Sequence, residues 1–265
     1  MRGNIRILSK KLHRRKRIIK VVLVFFICAA LFASIAAFFH IPFFKVQKIV
    51  IKGNNLISVD ILRDKISQRL KGKYYGVFPR DNIFIVPQGN IKEDILNYIT
   101  RVKDVQLDRK LFFRNLVINI TERQSAGILC QTENCFFVDE DGLVFEEAPY
   151  FSGNIYLRFF DERTASSSGV IIGELILPTE EFRKLTDFNE LIPKINVNIS
   201  KMVLKKENIY ELYTLEGWRV LTNNQNNPND LFINLAAILN EVGSRRQNLD
   251  YIDLRFGNKV FYKFK

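Results

Sequence analysis

Histidine is almost missing from this sequence. Only His13 and His40 occur among 265 residues, one in a basic N-terminal tail and one at the end of a long apolar run. A histidine base is therefore unavailable to a folded domain built from residues after 40, which excludes Ser-His-Asp and Cys-His catalysis and histidine-ligated zinc there. The phosphate and metalloprotease signatures GxGxxG, GxxxxGK(S/T) and HExxH are also missing. So is Ser-x-x-Lys, the nucleophile motif of penicillin-binding acyl transfer. The segment Asp139-Glu140-Asp141-Gly142 has two aspartates before a glycine but lacks the further ligands of a calcium loop, and reads as an Asp-Gly hairpin turn. Glu146 and Glu147 are adjacent, so on a strand they point apart and do not make a catalytic carboxylate pair. The expectation is a protein that is not an enzyme, with no catalytic residues, no cofactor and no metal.

Acidic residues are missing from residues 1–20, which carry nine of the chain's 40 Lys and Arg. The remainder has 31 basic residues against 28 acidic ones, so a formal charge of +12 reduces to a basic tail and a nearly balanced body. Charge is missing altogether from residues 21–39, VVLVFFICAALFASIAAFF. As a helix this run is roughly 30 Å long, the thickness of a bilayer's hydrocarbon core. Basic flanks stay in the cytoplasm. The reading is a cytoplasmic tail (1–20), a transmembrane helix (21–40) and an extracytoplasmic remainder. The basic excess sits where topology needs it and does not signal nucleic-acid binding. A cleaved signal peptide is the rival, but its apolar core is shorter, roughly 7 to 15 residues, and His40-Ile41-Pro42-Phe43-Phe44 is a poor cleavage site. The uncleaved anchor is preferred.

Three cysteines are present. Cys28 lies in the apolar run. Cys130 and Cys135 flank a four-residue connection of hairpin length and can form a cross-strand disulfide if the geometry allows. Two ordinary thiols are the alternative.

In the outer region, residues 44–52 are strand-like, with pairing starting near Lys48 or a bulge intervening. Ser58 caps a helix with Ile61, Leu62, Ile66 and Leu70 facing inward, which ends before Gly72. An irregular stretch covers 74–81. Asn90 is placed to cap a second helix through Ile91, Ile95 and Ile99. Strands at 102–107 and 116–121 follow, joined by a basic and aromatic loop, 108–115. The order β-α-α-β-β points to helices packed on one face of a small sheet.

From Ser125 onward short strands alternate with turn signals. They are expected at 127–130, 135–139, 143–146, 155–159, 195–199, 209–214, 218–222, 251–256 and 259–265. Helices are expected after Thr179 and Asn229 as caps. Gly257-Asn258 between two apolar runs is a strong hairpin signal. Residues 164–168 and the Asn-rich 223–229 read as surface loops.

The single span after a basic tail, the strand ending in Gly53-Asn54, and the β-α-α-β-β unit closing in Glu122-Arg123 resemble the FtsQ/DivIB cell-division proteins. So do Phe137-Val138-Asp139, Gly142-Leu143-Val144-Phe145, Gly217-Trp218 and Ile252-Asp253-Leu254-Arg255-Phe256. The resemblance covers essentially the whole chain and rests on the order of elements more than on one motif. It implies an α+β protein with one transmembrane helix, a POTRA-like domain (41–123) and a mostly antiparallel β domain with two helices (124–265). It implies a bitopic scaffold in the bacterial inner membrane at the division septum. The partners it implies are FtsB/DivIC- and FtsL-type single-span coiled-coil proteins and septal peptidoglycan synthases. Its partner-binding surface maps onto Arg255 and Phe256, Asn258 in the turn, and Val260, Phe261, Tyr262 and Phe264 of an edge strand a partner extends. A POTRA-based chaperone for exported polypeptides is the alternative function, although such proteins carry tandem copies and a C-terminal barrel.

Overall fold

A computed structural model describes residues 2–131, 134–163 and 170–265, with side chains described from residue 15 onward. The low-complexity run 164–168 lies outside the described residues. The chain is α+β and divides into two compact units, residues 1–121 and 122–265.

In the first unit α1 (Arg2–Phe39) is one continuous helix. Its segment Arg15–Phe39 contains an 18-residue stretch of mean hydropathy 2.8, no residue of which is fully buried, and is long and apolar enough to cross a membrane. Beyond a short turn at Pro42–Phe44 come β1 (Lys48–Lys52), α2 (Val59–Leu70), β2 (Lys73–Tyr74), β3 (Phe78–Pro79), α3 (Gln88–Tyr98), β4 (Val102–Lys110) and β5 (Asn115–Glu122). The three longer strands form a sheet in the order β1-β5-β4, with β1 parallel to β5. Leu62 and Ile66 of α2 and Ile91 and Ile95 of α3 are one helical turn apart, so each pair faces one way. They pack with Leu116, Ile118 and Ile120 of β5 into one core, whereas Ile61, expected to face inward, is exposed, because it lies next to Leu62 on the helix and points about 100° away from it.

Ser58 caps α2 as expected, accepting the Asp60 N–H at 3.3 Å. Asn90 is not a cap: α3 begins at Gln88 after Pro87, because proline ends the preceding segment and cannot continue a helix backwards. The stretch expected to be irregular contains the small hairpin β2–β3. The loop expected at 108–115 shrinks to 111–114, since the strands run to Lys110 and restart at Asn115.

The second unit contains β6 (Gly127–Gln131), β7 (Asn134–Val138), β8 (Val144–Ala148), β9 (Arg158–Asp161), α4 (Thr179–Leu191), β10 (Ile199–Lys205), β11 (Ile209–Thr214), β12 (Arg219–Asn223), α5 (Pro228–Val242), β13 (Leu249–Phe256) and β14 (Lys259–Phe264). Its sheet runs β14-β13-β12-β11-β10-β9-β6-β7-β8. Most neighbours are antiparallel, while β12 with β13, β10 with β9 and β6 with β9 are parallel. Phe182, Leu185 and Phe188 of α4 and Leu231, Leu235 and Leu239 of α5 share a core with Phe159, Trp218 and Val220.

Three expectations fail here. Residues 195–199 are not a strand: Pro193 and Ile195 lie in a short 3-10 helix, and Asn196 turns left-handed at φ +54°. The strand starts at Ile199 instead. The strand expected at 155–159 is displaced to Arg158–Asp161. The helix caps shift as well. Thr179 is the first helical residue of α4, after Pro178. Asn227 caps α5 by accepting the Asn229 N–H, with Pro228 in the first turn, the position proline favours.

The two ends of this large sheet differ. At β8, the Val144 N–H donates to Glu174 O (2.9 Å) and Gly173 N–H donates to Val144 O (2.7 Å), while Leu143 bridges Leu175. β14 is the opposite end of the strand order.

Candidate functional site

The last hairpin carries every residue expected to meet a partner. β13 and β14 pair antiparallel, with Ile252 opposite Tyr262 and Asp253 opposite Phe261, and the register shifts between Asp253 and Phe256. Gly257 in the turn has φ +62°, a conformation glycine adopts without a steric penalty. The turn is tied to α5 by Asn234 Nδ2 donating to Gly257 O at 3.0 Å. Asn258 is exposed.

Strand alternation divides β14 into two faces. Val260, Tyr262 and Phe264 are half-buried and pack on the core of the second unit. Lys259, Phe261 and Lys263 face solvent. Phe261 is 52% exposed and Phe256 55%, and their rings meet edge-on at 5.4 Å. They form a small apolar step on a lysine-flanked strand. Tyr262 and Phe264 also meet edge-on, at 5.5 Å, and the Arg245 guanidinium lies 5.2 Å from the Phe264 ring.

Arg255 is held in place rather than free. Its guanidinium donates from Nε and Nη2 to the two carboxylate oxygens of Asp253, and its backbone N–H donates to Oδ1 at 3.1 Å. The hydrogen bond it donates to Asp253 pushes the Arg255 pKa further up. The Arg255 guanidinium lies 5.5 Å from the Phe256 ring. Asp253 is the residue that sequence reasoning left out of the site. The signal was available, since residues two apart on a strand share a face.

This arrangement is suited to strand addition. An outermost strand offers backbone donors and acceptors to an incoming segment. Phe256 and Phe261 offer apolar surface and Lys259 a cation, while Lys263 is paired with Asp250 at 3.6 Å. Away from this edge, Cys130 and Cys135 sit opposite each other in the β6–β7 hairpin and are joined by a disulfide, Cα–Cα 4.1 Å. Among the described residues, no group of three or more His, Cys, Asp or Glu side chains is placed to hold a metal ion.

No known family model matches this chain, and no curated protein matches it.

Proposed function

We propose that this protein is a single-span scaffold of the bacterial cell-division machinery, similar in role to FtsQ/DivIB. Its α1 holds two extracytoplasmic units at the membrane, the first POTRA-like and the second a partner-binding β domain. Single-span coiled-coil proteins of the FtsB/DivIC and FtsL type add a strand beside β14, and septal peptidoglycan synthases are regulated through that assembly. The observation that carries this reading is β14 itself. It is the outermost strand of a nine-stranded sheet, and its solvent face alternates lysine with one exposed aromatic residue. The apolar helix α1 supports the membrane location.

Pull-down of a coiled-coil partner tests the edge. A full-length variant with Lys259→Glu, Lys263→Glu and Phe261→Pro should lose capture while its Trp218 fluorescence stays native. Undiminished capture by the folded variant refutes the assignment. Imaging a fluorescent fusion tests the setting: the reading requires a mid-cell ring, and a uniform envelope signal with intact septation favours the polypeptide-chaperone role instead.

A further inference from the structure

The basic and aromatic tip between β4 and β5 is not used by the partner edge. Phe112 is 98% exposed, Phe113 74% and Leu111 48%. Tyr75, in the β2–β3 turn, is 97% exposed. Leu111, Phe112 and Phe113 are consecutive, and a contiguous bare apolar patch marks an interaction surface.

The β2–β3 hairpin touches α1 itself, and the β4–β5 tip is tied to the segment that follows it. Arg114, closing the β4–β5 tip, places its guanidinium 4.8 Å from the Phe43 ring, and its carbonyl accepts the Gln47 N–H at 2.9 Å. Arg109 Nη1 donates to Phe84 O at 2.6 Å, and the Phe84 ring contacts Phe44 at 5.2 Å. Asn82 Nδ2 donates to Phe39 O, the last residue of α1, at 2.9 Å. From the other hairpin, Phe78 meets the ring of Phe39 at 5.6 Å and that of Phe32 at 5.9 Å.

The Phe78–Phe32 contact fixes a depth. Phe32 precedes Phe39 by seven residues, about 10 Å along a helix. A hairpin touching Phe32 therefore lies beside the last two turns of the apolar helix, not beyond its end. If α1 spans the bilayer, the hairpin occupies the headgroup and upper acyl region, the ~5–10 Å depth of interfacial segments. Charge around the two loops is cationic. Lys71, Lys73, Arg109 and Lys110 are exposed. Of the nearby acids, Asp81 is paired with Lys45 at 3.0 Å, which leaves Asp108 on the β4–β5 hairpin.

We infer that the β2–β3 turn and the β4–β5 tip form a second membrane contact, in which Tyr75, Phe112 and Phe113 enter an anionic phospholipid surface and the flanking cations meet its headgroups. The span attaches the first unit to the membrane through α1 alone. This contact fixes its orientation on the lipid surface. The inference rests on α1 being a transmembrane anchor, as proposed above.

Nitroxide depth measurement tests both statements separately. The full chain is reconstituted in nanodiscs of phosphatidylcholine and phosphatidylglycerol, labelled at Cys28 or, after Cys28→Ala, at Phe112→Cys, Tyr75→Cys or Ile233→Cys. Oxygen accessibility should exceed that of a polar nickel complex at 28, 75 and 112, with position 233 giving the aqueous reference. An aqueous label at 28 refutes the anchor. A deep label at 28 with an aqueous label at 75 or 112 overturns the contact alone. Adding Lys73→Glu and Lys110→Glu should move both loop labels into water. If they stay embedded, the assignment to anionic lipid is overturned.

Discussion

Asp253 and Arg255 form a two-pronged ion pair within one strand, with Nε to Oδ1 at 2.9 Å and Nη2 to Oδ2 at 2.6 Å. The aspartate is only 5% exposed, so its charge depends on the guanidinium for compensation. Arg255→Ala should therefore cost about 2 kcal/mol, the scale of hydrogen bonds to a buried charged group. Arg255→Lys should recover part of this and not all, because an ammonium lacks the planar fork. Thermal unfolding in detergent, followed through Trp218, measures both.

Glu216 accepts the Trp218 Nε1–H at 3.0 Å and the Arg246 Nε–H at 2.6 Å. Burial works to raise its pKa, but the hydrogen bonds from Arg246 and Trp218 outweigh burial and lower it. A lowered folded pKa means the contribution to stability is present above the unfolded carboxylate value of about 4.3 and is lost as pH falls through the folded value. Trp218 is the chain's one tryptophan. Its fluorescence should report an acid transition with a midpoint below about 4.3, and Glu216→Gln should abolish that transition.

Gly53 follows β1 at φ +80°, and a Cβ there would stand 2.1 Å from Ile120 O. Strain and backbone clash act together, so Gly53→Ala should destabilise the first unit by at least about 2 kcal/mol. Hydrogen exchange should accelerate at the β1 and β5 amides and leave β10–β14 unchanged.

The Cys130–Cys135 bridge closes a short loop, and chain-entropy reasoning gives it about 2 kcal/mol. Cys130→Ser with Cys135→Ser should lower the melting temperature, as should dithiothreitol on the native chain. The reductant should have no further effect on the double variant.

Elements with one wet and one dry face were legible in the sequence. Residues 116–121 alternate cleanly, as do Tyr210, Leu212 and Thr214 in β11, and both strands were placed within a residue or exactly. β10 was missed because Met202, Val203 and Leu204 are all buried, which erases the period-two signal of a half-buried strand. The alternation of Ile195, Val197 and Ile199 was real but was broken by the left-handed Asn196. Prolines at 87, 178 and 228 displace Asn90, Thr179 and Asn229 from the cap positions read for them, while Ser58 keeps its own. At the partner edge, the two faces of β14 followed directly from alternation. Its place at the end of the strand order was expected from the resemblance and from no local pattern, because β12 and β13 pair in parallel across α5. The exposed aromatics of 111–113 were visible as a composition. The tie of neighbouring Arg114 to Phe43 spans 71 residues and could only come from the fold.

The blocked register beside β8 bears on growth from copy to copy. A sheet open at both ends can recruit strands from successive copies and grow into a fibre, as heterologous contacts do when they fail to close. Here the 173–175 segment already engages Leu143 and Val144. A strand added at β14 has no matching vacancy to offer the next molecule at that register. Under the strand addition proposed at β14, copy-to-copy growth through Leu143 and Val144 is therefore blocked, so the sheet is no template for propagation at that register.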